Sequence, residues 1–257
     1  MWNLAGHECH SRLLVGTAQY PTLAILEQAI MASGTQVITV GLKHEDLNQS
    51  QGQSFWKRIQ ALNCKILPNT AGCMSHVEAI EVAKISQELF ETNWVKLEVV
   101  SPQLHLQPNP FELVKAAETL NKLGFHVFPF CTDDLVLCKA LYDSGCQIVM
   151  PWGSPIGSGK GLLNIFQLKA LRQLLPKATL IIDAGIGSPQ HALSAMQLGY
   201  DGVLINSAIA KALDPVMMAR AFALAIESGR LSYQAGVMPE SDYAIASTSL
   251  TQTLFGA

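Results

Sequence analysis

The chain has 257 residues, of which 49% are apolar and only 14% are charged, so the composition argues against disorder and allows one large domain with a substantial core. A formal net charge of −3 at pH 7 offers no basic surface for nucleic acid, which excludes that class of partner. No apolar run reaches the roughly 18 residues of a membrane span, and the first residues lack the apolar stretch of a signal peptide, so we expect a cytoplasmic protein without a membrane partner.

The N-terminal segment contains the motif HECH at residues 7–10, which could suggest metal ligands. The motif precedes the first periodic segment, and no partner ligands with a suitable spacing accompany it. We therefore expect a polar N-terminal lead and no metal site. The cysteines form no Cys-x-x-Cys pair and have mostly apolar neighbours, so we expect them to be reduced and buried. They are Cys9, Cys64, Cys73, Cys131, Cys138 and Cys146.

From residue 11 to residue 229, short apolar runs alternate with segments of helical spacing, and no Pro/Gly/Ser-rich linker separates them. The predicted strands are residues 12–16, 36–42, 65–69, 94–100, 126–131, 147–152, 179–185 and 202–208. Apolar residues three to five positions apart predict the helices, as at Val77, Ile80, Ile85 and Leu89 and at Phe111, Val114, Ala117 and Leu120. Several helices are expected to end at a glycine, namely Gly34, Gly124, Gly145 and Gly199.

Eight strand–helix units in about 220 residues match the size of a TIM barrel. We therefore predict an α/β fold with a single (βα)8 domain, its core at about residues 11–229 and a C-terminal extension at residues 230–257. An open doubly wound sheet is the alternative, although such sheets more often have fewer strands. In a TIM barrel the active site lies at the C-terminal ends of the strands.

The fourth predicted strand carries two charged residues, Lys96 and Glu98, in an otherwise apolar run. They are two positions apart and therefore share one face, which we place toward the barrel interior. A desolvated lysine can attack a carbonyl as a neutral amine, which is the requirement for Schiff-base catalysis. Glu98 opposes this effect by stabilising the ammonium, so the sequence does not decide the direction of the lysine pKa shift. A purely structural ion pair is the alternative, but buried pairs rarely stabilise a fold relative to apolar residues.

The seventh and eighth predicted strands end in polar motifs. Asp183 ends an apolar run and supplies a second carboxylate, and the DAGIGSP turn that follows has Gly185 where backbone amides can approach an anion. Asn206 and Ser207 add donors after the next strand, where TIM barrels commonly bind phosphate. The glycine-rich segment 153–161 does not fit the Walker pattern, so we expect it to fold over a ligand at the barrel mouth or to supply backbone amides to the phosphate of that ligand.

The motifs SRLLVGTAQYP, ILPNTAGC, TNWVKLEV, CTDD, VMPWGSPIGSG, DAGIGSP, GVLINSAIA and DPVMMARAF occur in this order over nearly the whole chain. With these motifs the sequence resembles the thiazole synthase family, whose members build the thiazole phosphate of thiamine. The resemblance implies that Lys96 forms an imine with the ketone of 1-deoxy-D-xylulose 5-phosphate, with Glu98 and Asp183 as proton-transfer partners. It also implies substrate contacts at Gly157, Ala184, Gly185, Asn206 and Ser207.

The same resemblance implies that a sulfur-carrier protein thiocarboxylate donates sulfur, that dehydroglycine completes the ring, and that no metal or cofactor is needed. We also expect a homo-oligomer. The chain departs from the family pattern at Ser207, where threonine is usual, at Trp152, where a leucine or similar residue is usual, and at GLKH, residues 41–44. These departures bear on the shape of the mouth and on docking rather than on the reaction.

Two other functions remain open from the sequence. A Schiff-base aldolase acting on a sugar phosphate would share the lysine and the phosphate site but would need no thiocarboxylate. A non-catalytic phosphosugar-binding barrel would have no use for the combination of Lys96, Glu98 and Asp183.

Overall fold

Short strands alternate with helices along the computed structural model, which describes residues 1–42, 50–101 and 105–247, with only the backbone described at residues 50–55. The strands are β1 (Trp2–Leu4), β2 (His7–Cys9), β3 (Leu13–Gly16), β4 (Val37–Gly41), β5 (Lys65–Asn69), β6 (Trp94–Leu97), β7 (Val100–Ser101), β8 (Gln107–Pro108), β9 (His126–Cys131), β10 (Ile148–Pro151), β11 (Thr179–Asp183) and β12 (Gly202–Ile205). The helices are α1 (Leu23–Ser33), α2 (Ser50–Ala61), α3 (His76–Phe90), α4 (Pro110–Lys122), α5 (Leu135–Asp143), α6 (Ile165–Leu174), α7 (Pro189–Gln197), α8 (Ser207–Ala210) and α9 (Pro215–Ala235).

Eight of the described strands form a closed parallel barrel in the order β3, β4, β5, β6, β9, β10, β11, β12, with β12 pairing back to β3. This confirms the predicted TIM barrel. The predicted strands are in the right places, but several end earlier than expected. Strand β6 ends at Leu97 and β12 at Ile205, so Glu98 and Asn206 lie just beyond the strands.

Alternate residues of the barrel strands point to opposite sides. The outward residues, such as Val95, Leu97, Val149 and Ile182, pack against the helices. The inward residues of the lower half form a separate apolar cluster inside the barrel, which includes Leu14, Val37, Leu67, Trp94, Phe128, Ile148, Ile181 and Leu204. The period of two along each strand therefore separates the helix layer from the barrel interior.

The N-terminal hairpin of β1 and β2 closes the bottom of the barrel. Leu4 and Cys9 are 0% and 1% exposed, respectively, and pack against the interior cluster, while His7 meets the ring of Trp94 edge-on at 6.0 Å. The turn between the strands uses Gly6 at a φ of +84°. Residues 7–10 are therefore polar at the surface as predicted except at Cys9, which faces the core.

The predicted glycines lie at the ends of the helices, but α3 buries a different face from the predicted one. Gly34, Gly124, Gly145 and Gly199 all have positive φ. In α3, however, the buried residues are Ala79, Ala83 and Ser86, whereas Val77, Ile85 and Leu89 are 43–56% exposed. Small side chains of α3 face the barrel because they allow the helix to approach the strands closely. In α4, Ala117 and Leu120 are buried as predicted, whereas Phe111 is 78% exposed.

No helix in the described part of the chain is long and apolar enough to cross a membrane.

Candidate active site

Lys96 lies inside the upper half of the barrel between two carboxylates. Its Nζ atom is 2.7 Å from Oε1 of Glu98 and 2.7 Å from Oδ2 of Asp183. The three residues are only 4–6% exposed. The ring of Phe130 lies 5.7 Å from Nζ and closes one side of the cluster. The structure therefore brings together the three residues that the sequence singled out for chemistry.

The balance between burial and charge sets the protonation of this cluster. Desolvation lowers the pKa of Lys96, but the charges of Asp183 and Glu98 and their contacts with Nζ outweigh it, so the pKa is raised above its ordinary value. Burial also raises the pKa of Asp183, although Lys96 opposes this shift. The two neighbouring acids thus favour the ammonium form of Lys96, and the structure supplies the direction of the pKa shift that the sequence could not.

Glu98 is held in place by the end of strand β5. The side-chain amide of Asn69 donates to Oε1 of Glu98 at 2.9 Å. The hydroxyl of Thr70 donates to the Glu98 carbonyl and accepts from its backbone N–H, both at 2.8 Å. Sequence reasoning missed Asn69 and Thr70. The available signal was a polar residue at the end of an apolar strand, the same pattern that identified Asp183.

The turn after β11 packs against the loop after β10. Gly153 donates its backbone N–H to Ala184 at 3.2 Å, and Gly161 donates to Gly185 at 2.8 Å. Both Ala184 and Gly185 have positive φ, at +70° and +77°. A Cβ atom on Gly185 would lie 2.0 Å from Oγ of Ser154. Glycine is therefore required at 185 because the two loops touch, a reason the sequence did not reveal.

Gly187, two residues further along the same turn, is already engaged within the protein. Gly187 donates its backbone N–H to Nδ1 of His191 at 3.2 Å. A Cβ atom on Gly187 would lie 2.3 Å from the Gly159 carbonyl oxygen, so this glycine also serves the contact between the loops. Pro189 opens helix α7 directly after this turn.

All of the predicted site residues border one cavity of about 550 Å³ at the C-terminal end of the barrel. Lys96, Glu98 and Asp183 line it together with Gly157, Ala184, Gly185, Asn206 and Ser207. Additional lining residues include Gly16, Thr39, Asn69, Phe130 and Lys211. Asn206 precedes α8, and its Oδ1 atom is buried without a hydrogen-bond partner among the described residues.

Two of the departures from the family pattern can be placed. Ser207 lines the cavity, where it keeps a hydroxyl group. Trp152 does not line it and instead donates from its indole nitrogen to Oδ1 of Asp133 at 2.8 Å, so it does not shape this cavity. Lys43 and His44 lie outside the described residues.

Within the ranges that the structure covers, no group of three or more His, Cys, Asp or Glu residues is arranged to hold a metal ion. Five of the six cysteines are buried and Cys64 is half-buried, and burial raises the pKa of the Cys9, Cys64, Cys131 and Cys146 thiols.

A closed parallel barrel with a charged cluster and an open cavity at the C-terminal ends of its strands defines a TIM-barrel enzyme. A family model described as "Thiazole biosynthesis protein ThiG" matches residues 3–249, and the chain belongs to this family. It is therefore an enzyme of thiazole biosynthesis, in agreement with the resemblance seen in the sequence.

Individual relatives support the assignment. The chain is 50% identical to the thiazole synthase of Coxiella burnetii (strain RSA 331 / Henzerling II), with 97% of this chain and 96% of that protein covered. It is 54% identical to the thiazole synthase of Bradyrhizobium sp. (strain ORS 278), with 95% and 94% covered. Among solved structures, the Amycolatopsis orientalis BexX/CysO complex has a matching chain with a TM-score of 0.84 and 28% identity, covering 94% of this chain and 98% of that chain.

Proposed function

We propose that the protein joins Lys96 to the ketone of 1-deoxy-D-xylulose 5-phosphate as an imine. It then condenses this intermediate with sulfur from a sulfur-carrier protein thiocarboxylate and with dehydroglycine to give the thiazole phosphate of thiamine. The observation that carries the proposal is the position of Lys96, which lies between two carboxylates at the wall of a 550 Å³ cavity. The cavity is large enough for a phosphorylated five-carbon sugar.

The first step requires a neutral amine. Because the carboxylates raise the pKa of Lys96, the resting ammonium must lose a proton before its nitrogen attacks the ketone. Asp183 is suited to take this proton, since burial raises its pKa and its Oδ2 atom is 2.7 Å from Nζ. The same group can return the proton to the carbinolamine hydroxyl, which then leaves as water when the imine forms.

The second step moves the carbonyl along the sugar. The imine at C2 acidifies the hydrogen on C3, and we assign its removal to Glu98, which lies 2.7 Å from Nζ. Protonation at C2 and loss of the C3 hydroxyl proton then give a ketone at C3 and an amine at C2. Sulfur from the thiocarboxylate enters this ketone, and dehydroglycine supplies the ring nitrogen and the last carbon.

We assign the phosphate to the part of the cavity that is lined by Gly157, Ala184, Gly185, Asn206 and Ser207. The charged side chains that line the described cavity are Lys96, Glu98, Asp183 and Lys211. Lys96 is already neutralised by its two partners, and Lys211 is exposed. We therefore expect backbone amides to provide most of the affinity for the phosphate.

The partner that delivers sulfur is expected to be a small carrier protein. The structure of BexX was solved as a complex with CysO, and this chain matches it over nearly its full length. The cavity opens at the end of the barrel, where the end of a partner chain could reach Lys96.

A reconstituted assay separates this function from the two alternatives. The protein is incubated with 1-deoxy-D-xylulose 5-phosphate, dehydroglycine and carrier thiocarboxylate, and thiazole phosphate is measured by mass spectrometry. We expect product only when all three are present. Imine formation with cleavage of the sugar and no thiazole would indicate an aldolase, and binding without an imine would indicate a non-catalytic barrel.

We also expect the protein to be a homo-oligomer in the cytoplasm. Val77, Ile85 and Leu89 present an exposed apolar surface along α3, which could be covered by another copy. Light scattering of the purified protein gives the mass in solution, and a monomer at micromolar concentration would contradict this expectation.

A further inference from the structure

Of the two polar atoms in the side-chain amide of Asn69, one has a hydrogen-bond partner and the other has none among the described residues. Its Nδ2 donates to Oε1 of Glu98 at 2.9 Å, whereas its Oδ1 is buried and has no hydrogen-bond partner among the described residues. Buried polar atoms are nearly always paired, so a buried acceptor without a partner, on a residue that lines the active-site cavity, needs an explanation.

The orientation of this amide is fixed by its neighbour. Turning the side chain over would place Oδ1 against Oε1 of Glu98, and two acceptors would then face each other. The donor must therefore remain on Glu98, which leaves Oδ1 free. Thr70 holds the backbone of Glu98 from both sides, so Glu98 cannot move away from Asn69 easily.

Asn69 also lies beside the residue that would carry the substrate. Asn69 and Lys96 are direct partners in the pairing of β5 with β6, so their side chains enter the barrel next to each other. The Nζ of Lys96 and the Nδ2 of Asn69 both contact the same oxygen of Glu98. The side-chain amide of Asn69 and the amine of Lys96 are therefore linked through a single carboxylate oxygen, and both residues line the same cavity.

We propose that Asn69 contacts the substrate, with Oδ1 accepting a hydrogen bond from the hydroxyl on the carbon next to the imine. This inference rests on the proposed function. A carbonyl oxygen accepts hydrogen bonds and cannot donate them, so Oδ1 selects a hydroxyl and disfavours a phosphate or a carboxylate at that position. Asn69 thereby selects hydroxyketones over plain ketones and orients the C3 hydrogen toward Glu98.

The test compares two substrates and two proteins. The substrates are 1-deoxy-D-xylulose 5-phosphate and an analogue with hydrogen in place of the C3 hydroxyl, which can still form an imine. For each, we measure the concentration that gives half-maximal borohydride trapping at Lys96. For wild type we expect this concentration to be about 10-fold higher for the analogue, and Asn69→Ala should raise it about 10-fold for the sugar but hardly at all for the analogue.

Asn69→Asp separates the two halves of the amide. The variant keeps an acceptor but loses the donor to Glu98 and adds a carboxylate beside it. We expect it to retain discrimination between the two substrates, while the pH profile of deuterium exchange at C3 moves to higher pH, because a like charge raises the pKa of a neighbouring acid.

Asn121→Ala is the matched control for general loss of stability. Asn121 donates its side-chain amide to the Ser144 carbonyl at 3.2 Å and lines a separate cavity at the other end of the barrel. Its substitution should leave both trapping curves unchanged.

Equal weakening of the sugar and the analogue by Asn69→Ala, or no weakening of either, would overturn the inference. The absence of any wild-type adduct at Lys96 would instead refute the proposed function, so the two failures can be told apart.

Discussion

The two ends of the barrel interior use the same strands for opposite purposes. At the N-terminal end, Trp94, Phe128 and the hairpin residue Leu4 form a dry apolar cluster. At the C-terminal end, Lys96, Glu98 and Asp183 form an ion cluster beside an open cavity. Along β6 the inner face changes from apolar to charged between Trp94 and Lys96, which are successive inward-facing residues of the strand.

This difference shows where stability and chemistry are located. The lower cluster buries large apolar side chains, which need no hydrogen-bond or ion-pair partners. The upper cluster buries charges that would be costly alone and are tolerable only because they pair with each other. We therefore expect substitutions in the lower cluster to affect folding first and substitutions in the upper cluster to affect the reaction first.

The largest effect is expected from Lys96. Lys96→Ala and Lys96→Arg should both abolish borohydride trapping and thiazole formation, because alanine has no amine and guanidinium remains charged near neutral pH. Binding of 1-deoxy-D-xylulose 5-phosphate, measured by calorimetry, should remain. Full trapping in either variant would mean that another lysine carries the substrate.

The two carboxylates should affect different steps. Glu98→Gln should still allow the imine to form but should slow deuterium exchange at C3 by roughly 10² to 10⁴, the usual loss for a missing acid or base, whereas Asp183→Asn should slow the formation of the imine itself by a similar factor. Each change also removes a negative charge that raises the pKa of Lys96, so that pKa should fall. The pH dependence of trapping should then move to lower pH, and a shift to higher pH would contradict the charge balance described above.

The lower cluster is probed by Trp94→Ala. Trp94 is 2% exposed and packs 5.1 Å from the ring of Phe128, so its loss should reduce the free energy of unfolding by about 3–5 kcal/mol. The fraction that remains folded should still form the imine. Chemical denaturation measures the first effect and trapping per folded molecule measures the second. If Trp94→Ala had normal stability but no trapping, the assignment of stability to the lower cluster and chemistry to the upper cluster would be wrong.

The contact between the two loops can be tested with a pair of glycines. Gly185→Ala and Gly157→Ala both force alanine to a positive φ, which costs roughly 1 kcal/mol. Only at Gly185 does the new Cβ also collide with Ser154, whereas at Gly157 no atom lies within 4 Å. Gly185→Ala should therefore raise the KM for the sugar phosphate clearly more than Gly157→Ala does. Equal effects would mean that the loop contact does not shape the site.

The smallest effect is expected at Lys211. This side chain is exposed at the edge of the cavity, and removing an exposed charge changes binding by a few-fold at most. Lys211→Ala should thus raise the KM for 1-deoxy-D-xylulose 5-phosphate only slightly. An increase larger than that of Gly185→Ala would show that a side-chain cation, rather than backbone amides, holds the phosphate.

Much of this picture could be predicted from the sequence because local rules govern it. The period of two placed Lys96 and Glu98 on the inner face of one strand, and the position of Asp183 at a strand end placed it at the same rim. The alternation of strands and helices predicted the barrel.

What the sequence did not reveal depends on contacts between distant segments. Asn69 supports Glu98 only because β5 and β6 are neighbours in the barrel. The need for glycine at 185 arises from Ser154, which belongs to a different loop. The direction of the Lys96 pKa shift required the distances to both carboxylates.

The central claim, that Lys96 carries the substrate, is tested most directly by locating the trapped sugar. Wild-type protein is incubated with 1-deoxy-D-xylulose 5-phosphate, reduced with borohydride, digested and sequenced by mass spectrometry. We predict a single reduced adduct on Lys96 and none on the exposed lysines Lys160 and Lys211. An adduct on either of those, or no adduct while thiazole is still formed, would contradict the account.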